Sequence, residues 1–433
     1  MVNFMNDFIN VVIDSAKNEL CDLKEFILYF NIRNKKIDRI ILEIENQLKN
    51  FNIDKIDIKL FQLYFNVRLD ILKNNVHLKF KSPIFTENII KTNITPFDYE
   101  RAMNPDSLDI KLKKIFFRSG MSAINGVLML LSSFKFLKNS SLLFSSTYFE
   151  TKNLVNNFYN NYFLIKNKEQ DLIWYDLIKS YDIIFFDIID YSNLQKTIDI
   201  KKLINSLNGS NKSIIFLVVD ITIECLDFDF NYVVNNINDK KIIIFCVNSL
   251  IKLNQFGFEF FNLGSVEIYS NIDYEYIEII YEKLKSFRTF SGTSLTHLEE
   301  LIFNNEIFSV KNILNYKKNI YSNTDYLFSS IVKNSCLDIK FSEGISPYIL
   351  LKINFRSDLK FYRDFIFSLK KFLLSNKTFI SNGTSFGFRH IRAEIVKTNC
   401  DNFLRISPGV YRGLNFFLTI EFIKNFKGGD SNL

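Results

Sequence analysis

At 433 residues the chain is too long for one compact core, so two or three structural units are expected. Its composition, 47% hydrophobic and 23% charged with only 13 Gly and 5 Pro, excludes the fibrous and disordered classes. The formal charge of +7 comes from 54 basic and 47 acidic residues that are interspersed, mostly as pairs such as Lys35-Lys36 and Lys201-Lys202, which argues for a solvated surface and against a nucleic-acid partner.

The first residues carry acids early and no small-residue cleavage site, so no signal peptide is expected. Phe4, Phe8, Val11 and Val12 recur at helical spacing, as do Ile37, Ile40, Ile41, Ile44 and Leu48. Residues 51–92 are apolar and mixed, with a weak strand signal at 76–80. The whole of 1–92 reads as a mainly helical N-terminal extension. From 93 to 285, short apolar runs at 141–144, 183–186, 214–219 and 242–247 alternate with helical segments. Runs of this length suit strands buried on both faces, and the intervening helices imply parallel pairing, so this stretch is expected to be a large α/β domain with a three-layer, mostly parallel sheet. Residues 286–433 read as a smaller C-terminal α+β domain, with strands at 348–355, 392–396 and 403–406 and helices at 359–374 and 414–426.

The longest uncharged apolar stretch, from Ser119 to Phe134, falls short of the roughly 20 residues a membrane span needs, so no membrane partner is expected. Cys21, Cys225, Cys246, Cys336 and Cys400 are far apart and odd in number, and with His77, His297 and His390 they offer no metal-ligand spacing. A reducing, cytoplasmic setting without a metal fits that usage. His297 and His390 lack paired ligands or an evident nucleophile, which favours structural roles.

Three short segments can carry chemistry together. Phe117-Arg118-Ser119-Gly120-Met121-Ser122-Ala123 leads into an apolar helix, and a small-residue turn there offers backbone amides and the positive end of a helix dipole to a phosphate. Alone, such a turn is usually a cap. Asp220, in Val218-Val219-Asp220-Ile221-Thr222, ends an apolar run and would face the crevice where α/β sheets bind ligands. Lys252, in Asn248-Ser249-Leu250-Ile251-Lys252, follows the next run, where partial desolvation makes an amine nucleophilic. Pyridoxal 5'-phosphate requires such a phosphate cradle, a carboxylate for its ring nitrogen, an aromatic face and a Schiff-base lysine. Asp220 and Lys252 are 32 residues apart, room for one further α/β unit between neighbouring strand ends.

Six segments in order resemble the cysteine/methionine-metabolism family of pyridoxal phosphate enzymes of fold type I, which includes cystathionine lyases and synthases. Tyr99-Glu100-Arg101-Ala102-Met103-Asn104-Pro105 is similar to its Tyr-x-Arg…Asn-Pro, and Ser119-Gly120-Met121-Ser122-Ala123 to its Ser-Gly-Met-Ala-Ala turn. Tyr148-Phe149-Glu150-Thr151 resembles Tyr-Gly-Gly-Thr, Asp220-Ile221-Thr222 resembles Asp-Asn-Thr, and Ser249-Leu250-Ile251-Lys252 resembles Ser-Ala-Thr-Lys. Phe403-Leu404-Arg405-Ile406-Ser407-Pro408-Gly409 is similar to Ile-Arg-Leu-Ser-Val-Gly. The resemblance spans roughly residues 95–430.

It implies an aspartate-aminotransferase-like fold and assigns roles by position. Lys252 would bear the cofactor and shuttle protons. Asp220 would pair with the pyridine nitrogen, Thr222 would join it in binding the cofactor, and Tyr148 would stack on the ring and assist proton transfer. Gly120, Met121 and Ser249 would contact the phosphate. Tyr99 and Arg101 would reach the phosphate of a neighbouring subunit, which implies a homodimer or homotetramer with shared sites. Arg405, with Ser381 as a weaker candidate, would bind the carboxylate of a small amino-acid substrate. The implied activity is a carbon–sulfur lyase or γ-replacement transferase acting on a sulfur-containing or γ-substituted amino acid. An aminotransferase or a catalytically inactive partner subunit on the same fold is the alternative. Departures from the family pattern are Ile251 in place of a phosphate-binding Thr, Leu253-Asn254-Gln255-Phe256 in place of Gly-Gly-His-Ser, and only Asn193 as counterpart of the ring-hydroxyl Asn.

Overall fold

The computed structural model describes residues 2–81, 112–137, 142–145, 148–159, 162–164, 171–191, 194, 198–223, 228–296, 299, 302, 306–354, 358–383, 385–397 and 402–427. The chain divides into two units, one of Thr92–Ile251 and Phe261–Glu300, the other of Met1–Lys91, Lys252–Phe260 and Leu301–Leu433.

The first unit is built on a seven-stranded sheet. Its strands are β1 (Leu112–Phe117), β2 (Leu142–Ser145), β3 (Tyr162–Leu164), β4 (Ile183–Asp187), β5 (Ile214–Asp220), β6 (Lys241–Ser249) and β7 (Gly264–Ser270), in the order β1-β7-β6-β5-β4-β2-β3. β3, β2, β4, β5 and β6 are parallel, while β7 runs antiparallel to β6 and β1 antiparallel to β7. The four apolar runs read from the sequence are β2, β4, β5 and β6. Every residue of β4 is buried, as is all of β5 after Ile214, as a strand covered on both faces requires. The antiparallel edge, β7 and β1, goes beyond the expected parallel set. β7 alternates buried and half-buried residues along its second half, so no continuous apolar run marks it.

The helices of this unit among the described residues are α4 (Gly120–Ser133), α5 (Phe149–Phe158), α6 (Asp171–Ile178), α7 (Ile200–Asn208), α8 (Phe230–Asn235) and α9 (Tyr274–Phe290), and α4 and α9 pack against the sheet. Ala123, Val127 and Leu131 of α4 and Ile280 and Leu284 of α9 share one core with Phe144, Phe185, Phe216 and Phe245. Burying each large apolar side chain there contributes roughly 1.5–3 kcal/mol. The register sets Asp187 beside Asp220 at the carboxyl ends of β4 and β5, with Ser249 ending β6.

The second unit carries a four-stranded antiparallel sheet of β8 (Leu337–Lys340), β9 (Ile349–Ile353), β10 (Arg392–Lys397) and β11 (Asn402–Ser407), ordered β10-β11-β9-β8. Helices α10 (Val310–Ile331), α11 (Leu359–Ser375) and α12 (Leu414–Lys424) cover it through Leu327, Phe365, Leu369, Phe416 and Ile420. Residues 1–91, set apart by the sequence as an extension, belong to this unit as α1 (Val2–Tyr29), α2 (Lys35–Lys49) and α3 (Ile56–Lys81). α2 buries Ile37, Ile40, Ile44 and Leu48 on the face its spacing predicts. The strand signal at 76–80 is overturned, because that stretch completes α3. Extending an existing helix by a few residues is easier than starting a strand with no partner.

Asp57 of α3 ties this N-terminal region to the C-terminal end of the unit. Its carboxylate accepts from the Tyr411 hydroxyl (2.8 Å), Thr378 Oγ1 (2.6 Å) and the amides of Leu414 (3.2 Å) and Asn415 (2.8 Å). It thereby caps α12, whose own flanking residue is the side-chain-free Gly413. Among the described residues no helix is long and apolar enough to cross a membrane.

Candidate functional site

Ser119 caps α4 by accepting from the Ser122 amide at 3.0 Å. The helix supplies no acceptor for the Gly120 and Met121 amides, which lie at the positive end of its dipole. The Met121 side chain itself packs on the core. Two neighbours press on this turn. A Cβ on Gly120 would lie 2.7 Å from Ser249 Cβ, and one on Gly264 would lie 2.3 Å from the Ser119 carbonyl and 2.6 Å from the Gly120 nitrogen. Bare backbone at 264 is therefore what lets β7 approach the turn.

From Ser249 a line of contacts runs along the carboxyl edge of the sheet. The Ser249 amide donates to Thr222 Oγ1 at 2.9 Å, and the Thr222 amide donates to Asp220 Oδ1 at 2.8 Å in a local side-chain-to-backbone turn. Asp220 is buried, and Oδ1 also accepts from the Tyr191 hydroxyl at 3.4 Å. The ring of Tyr191 meets that of Tyr148 at 5.4 Å, and the Tyr148 hydroxyl donates to Glu150 at 2.9 Å. Gly120, Ser249, Thr222, Asp220 and Tyr148 are thus brought together in one unit, with Met121 beside them. Tyr191 and Asp187 escape the sequence reading. Asp187 ends an apolar run as Asp220 does, so the same signal applies to it. Tyr191 carries no local signal.

The remaining candidates belong to the other unit. Lys252 is half-buried, with Nζ 5.3 Å from the centre of the Phe386 ring, a cation–π placement. A Cβ on Gly387 (φ +87°) would meet the Lys252 carbonyl oxygen at 1.8 Å, so this loop also closes on bare backbone. Arg405 lies in β11 directly opposite Glu394 of β10 and forms an ion pair with it, its guanidinium 5.1 Å from the Tyr348 ring. The arginine is therefore already engaged by a carboxylate of its own chain. Ser381 pairs by backbone with the start of β10, its amide donating to the Ile391 carbonyl at 3.4 Å and its carbonyl accepting from Ala393 at 3.2 Å. Tyr99, Arg101, Asn193 and His297 lie outside the described residues.

The segment after Lys252 has no regular structure, yet four consecutive carbonyls in it accept from side chains. Phe256 accepts from Arg389 (3.4 Å), Gly257 from the Tyr64 hydroxyl (2.9 Å), and Phe258 and Glu259 from the Arg68 guanidinium (2.6 and 2.7 Å). Arg389 is fully buried and bidentate to Glu19 (2.7 and 2.7 Å), with Asp22 at 3.0 Å. Burial alone would lower its affinity for a proton, but Glu19 and Asp22 more than reverse this and hold it charged. Burial pushes Tyr64 up to about 12, which keeps its hydroxyl protonated as a donor. His390, next in sequence, lies among Phe61, Tyr64 and Tyr411, and among the described residues no group bonds either ring nitrogen. Burial lowers its pKa to about 3.

No family model matches the chain, and no curated protein matches it. Solved structures do. A putative O-acetylhomoserine (thiol)-lyase from Campylobacter jejuni subsp. jejuni, carrying N'-pyridoxyl-lysine-5'-monophosphate, is 13% identical, with 72% of this chain and 82% of that chain covered at a TM-score of 0.54. A histidinol-phosphate aminotransferase from Clostridium acetobutylicum is 13% identical over 82% and 94%, with a TM-score of 0.52. A methionine gamma lyase from Micromonospora echinospora is 11% identical over 73% and 81%, with a TM-score of 0.50. At these identities the likeness shows the fold, and the three-layer, mostly parallel fold expected from the sequence is the one found.

Proposed function

We propose that this chain is an enzyme that holds pyridoxal 5'-phosphate on Lys252 and acts on a small amino acid, by elimination or replacement at a C–S bond or γ-carbon. The observation that carries the reading is the unbroken line of contacts from Gly120 through Ser249, Thr222, Asp220 and Tyr191 to Tyr148. It sets amides at a helix start, a buried carboxylate and an aromatic face along one sheet edge, which is the donor set the cofactor requires. Lys252 follows Ser249 by three residues, so chain connectivity keeps its Cα within about 11 Å of that serine.

Each residue then has a task. The Gly120 and Met121 amides and the Ser249 hydroxyl hold the phosphate. Asp220, aimed by the Thr222 amide and the Tyr191 hydroxyl, keeps a proton on the pyridine nitrogen. Tyr148, oriented through Glu150, lies against the ring. The Lys252 amine binds the cofactor and moves the proton at the substrate α-carbon. When bound, the cofactor supplies an electron sink for a carbanion at that carbon. A homodimer or homotetramer with shared sites goes with this reading, and the residues it would draw on by family pattern, Tyr99 and Arg101, lie outside the described residues. A substrate carboxylate that binds Arg405, with Ser381 as the weaker candidate, has to take the arginine from Glu394. That pair favours a second reading, a catalytically inactive relative that keeps the fold as a partner subunit.

Absorbance and product analysis test both readings. The purified protein is expected to be yellow or to become so with added cofactor, and Lys252→Ala to remove the colour. With a panel of sulfur amino acids, release of pyruvate, 2-oxobutyrate or a thiol supports the lyase, and amino transfer to a keto acid supports an aminotransferase. Colour without turnover supports the partner subunit. A colourless protein that takes up no cofactor, or colour that survives Lys252→Ala, overturns the assignment.

A further inference from the structure

We infer that the N-terminal helices α1 and α3 are a positioning device for Lys252, acting through the segment that follows it. This deepens the functional reading above, since it takes Lys252 as the reacting amine. An irregular segment must find partners for its polar backbone groups, and ladder or helix bonds are the usual ones. Here the carbonyls of Phe256, Gly257, Phe258 and Glu259 accept instead from the side chains of Arg389, Tyr64 and Arg68, and Arg389 is itself fixed by Glu19 and Asp22 of α1. The apolar half of the grip comes from the same helix, with Phe26 meeting Phe256 at 5.5 Å and Phe258 at 4.6 Å.

At the other end of the segment, the Lys252 carbonyl lies against Gly387, and the Tyr316 hydroxyl donates to the Gly387 carbonyl at 3.0 Å. Lys252 is therefore bracketed. Its own backbone is stopped by Gly387, and the residues four to seven positions later are pinned by α1 and α3. With both ends held, the lysine has little freedom except in its side chain, which lies over Phe386. Charged donors to backbone carbonyls are the stronger kind of hydrogen bond, and Tyr64 stays protonated, so the grip persists through the working pH range. Glu19, Tyr64, Arg68 and Arg389 are on this view positioning residues.

The test uses the full chain without added cofactor. Hydrogen–deuterium exchange is followed over residues 252–260, and Lys252 reactivity is read by reductive methylation with formaldehyde and mass spectrometry. In Arg68→Ala, exchange in the segment is expected to rise about tenfold and Lys252 methylation about fivefold over other lysines, since loss of two charge-assisted bonds releases the loop. Tyr64→Phe removes a single hydroxyl, retains the ring packing, and is expected to move both readouts the same way by less. Asp358→Ala serves as control. It removes the cap of α11 in the same unit, where Asp358 Oδ1 accepts from the Phe361 amide at 2.8 Å, and is expected to leave both readouts at the wild-type level. Wild-type exchange in Arg68→Ala and Tyr64→Phe overturns the inference. So does faster exchange with unchanged Lys252 reactivity, which would mean a tether without positioning. Failure of the wild-type protein to take up pyridoxal phosphate sinks the functional reading alone, because both readouts here are taken without it.

Discussion

The turn at Ser119-Gly120 and the segment Phe256–Glu259 are both irregular backbone beside candidate chemistry, yet they are held in opposite ways. The turn is held by closeness. β7 and the end of β6 approach it so tightly that Gly264 and Gly120 have no room for a Cβ. The segment is held at arm's length, by arginine and tyrosine side chains reaching its carbonyls, behind which stands a buried ion pair. A phosphate needs bare amides and tolerates no bulk, so backbone must form its cradle. A lysine that must swing needs only its base fixed, and long side chains can do that.

This contrast predicts which changes each region fails to tolerate. The largest effect is expected for Arg389→Ala, which leaves the carboxylate of Glu19 buried without its cation and costs about 3–5 kcal/mol in urea unfolding of its unit. Replacing both partners, Glu19→Leu with Arg389→Met, is expected to recover much of that loss, since two apolar side chains leave no stranded charge. If the single and double variants are equally unstable, the pair is not what holds the segment. Gly264→Ala comes next. The added methyl runs into the Ser119–Gly120 peptide and is expected to cost about 1–3 kcal/mol and to weaken cofactor retention, whereas Arg389→Ala acts on stability first. Retention equal to wild type in Gly264→Ala would show that the turn yields easily.

At neutral pH the smallest effect is that of His390, in the aromatic surroundings beside Arg389. Its folded pKa of about 3 lies below the ordinary 6.5, so the unfolded chain binds the proton first. The stability it contributes is complete above about pH 6.5 and falls by up to about 1.4 kcal/mol per pH unit as acidity increases toward pH 3. His390→Phe fits the same box and is expected to flatten that decline. An unchanged acid profile in this variant would assign the acid sensitivity to other groups.

How much of this was legible in the sequence follows from the range of the interactions. The buried strands β4, β5 and β6 announce themselves as apolar runs, and the helix start at Gly120, Asp220 and Lys252 stand at the ends of such runs, where chemistry is expected. β7 and β1 carry no such run: β7, between β1 and β6, interleaves half-buried Glu267 and Tyr269 with buried residues, and the edge strand β1 carries Lys113 and Lys114 near its start. The Glu394–Arg405 pair was out of reach, since it depends on the register between two strands and a slip of one residue would separate it. Glu19 is a different case. Val12, Ala16, Leu23 and Phe26 form the buried face of α1, and Glu19 sits in phase with them, an acid at a core position. That mismatch signals a buried partner. What the sequence cannot say is that the partner is Arg389, 370 residues away.

The contacts of Asp57 have a consequence for how the chain comes into being. This carboxylate is synthesised early, and the helix start it satisfies belongs to residues made more than 350 positions later. The unit joined by that contact cannot close until nearly all of the described chain has left the ribosome. The strands of the seven-stranded sheet lie between 112 and 270 and have all their partners well before then. The order of folding during translation is thus written into the topology, with the middle of the chain settling first while α1 to α3 wait for their partners.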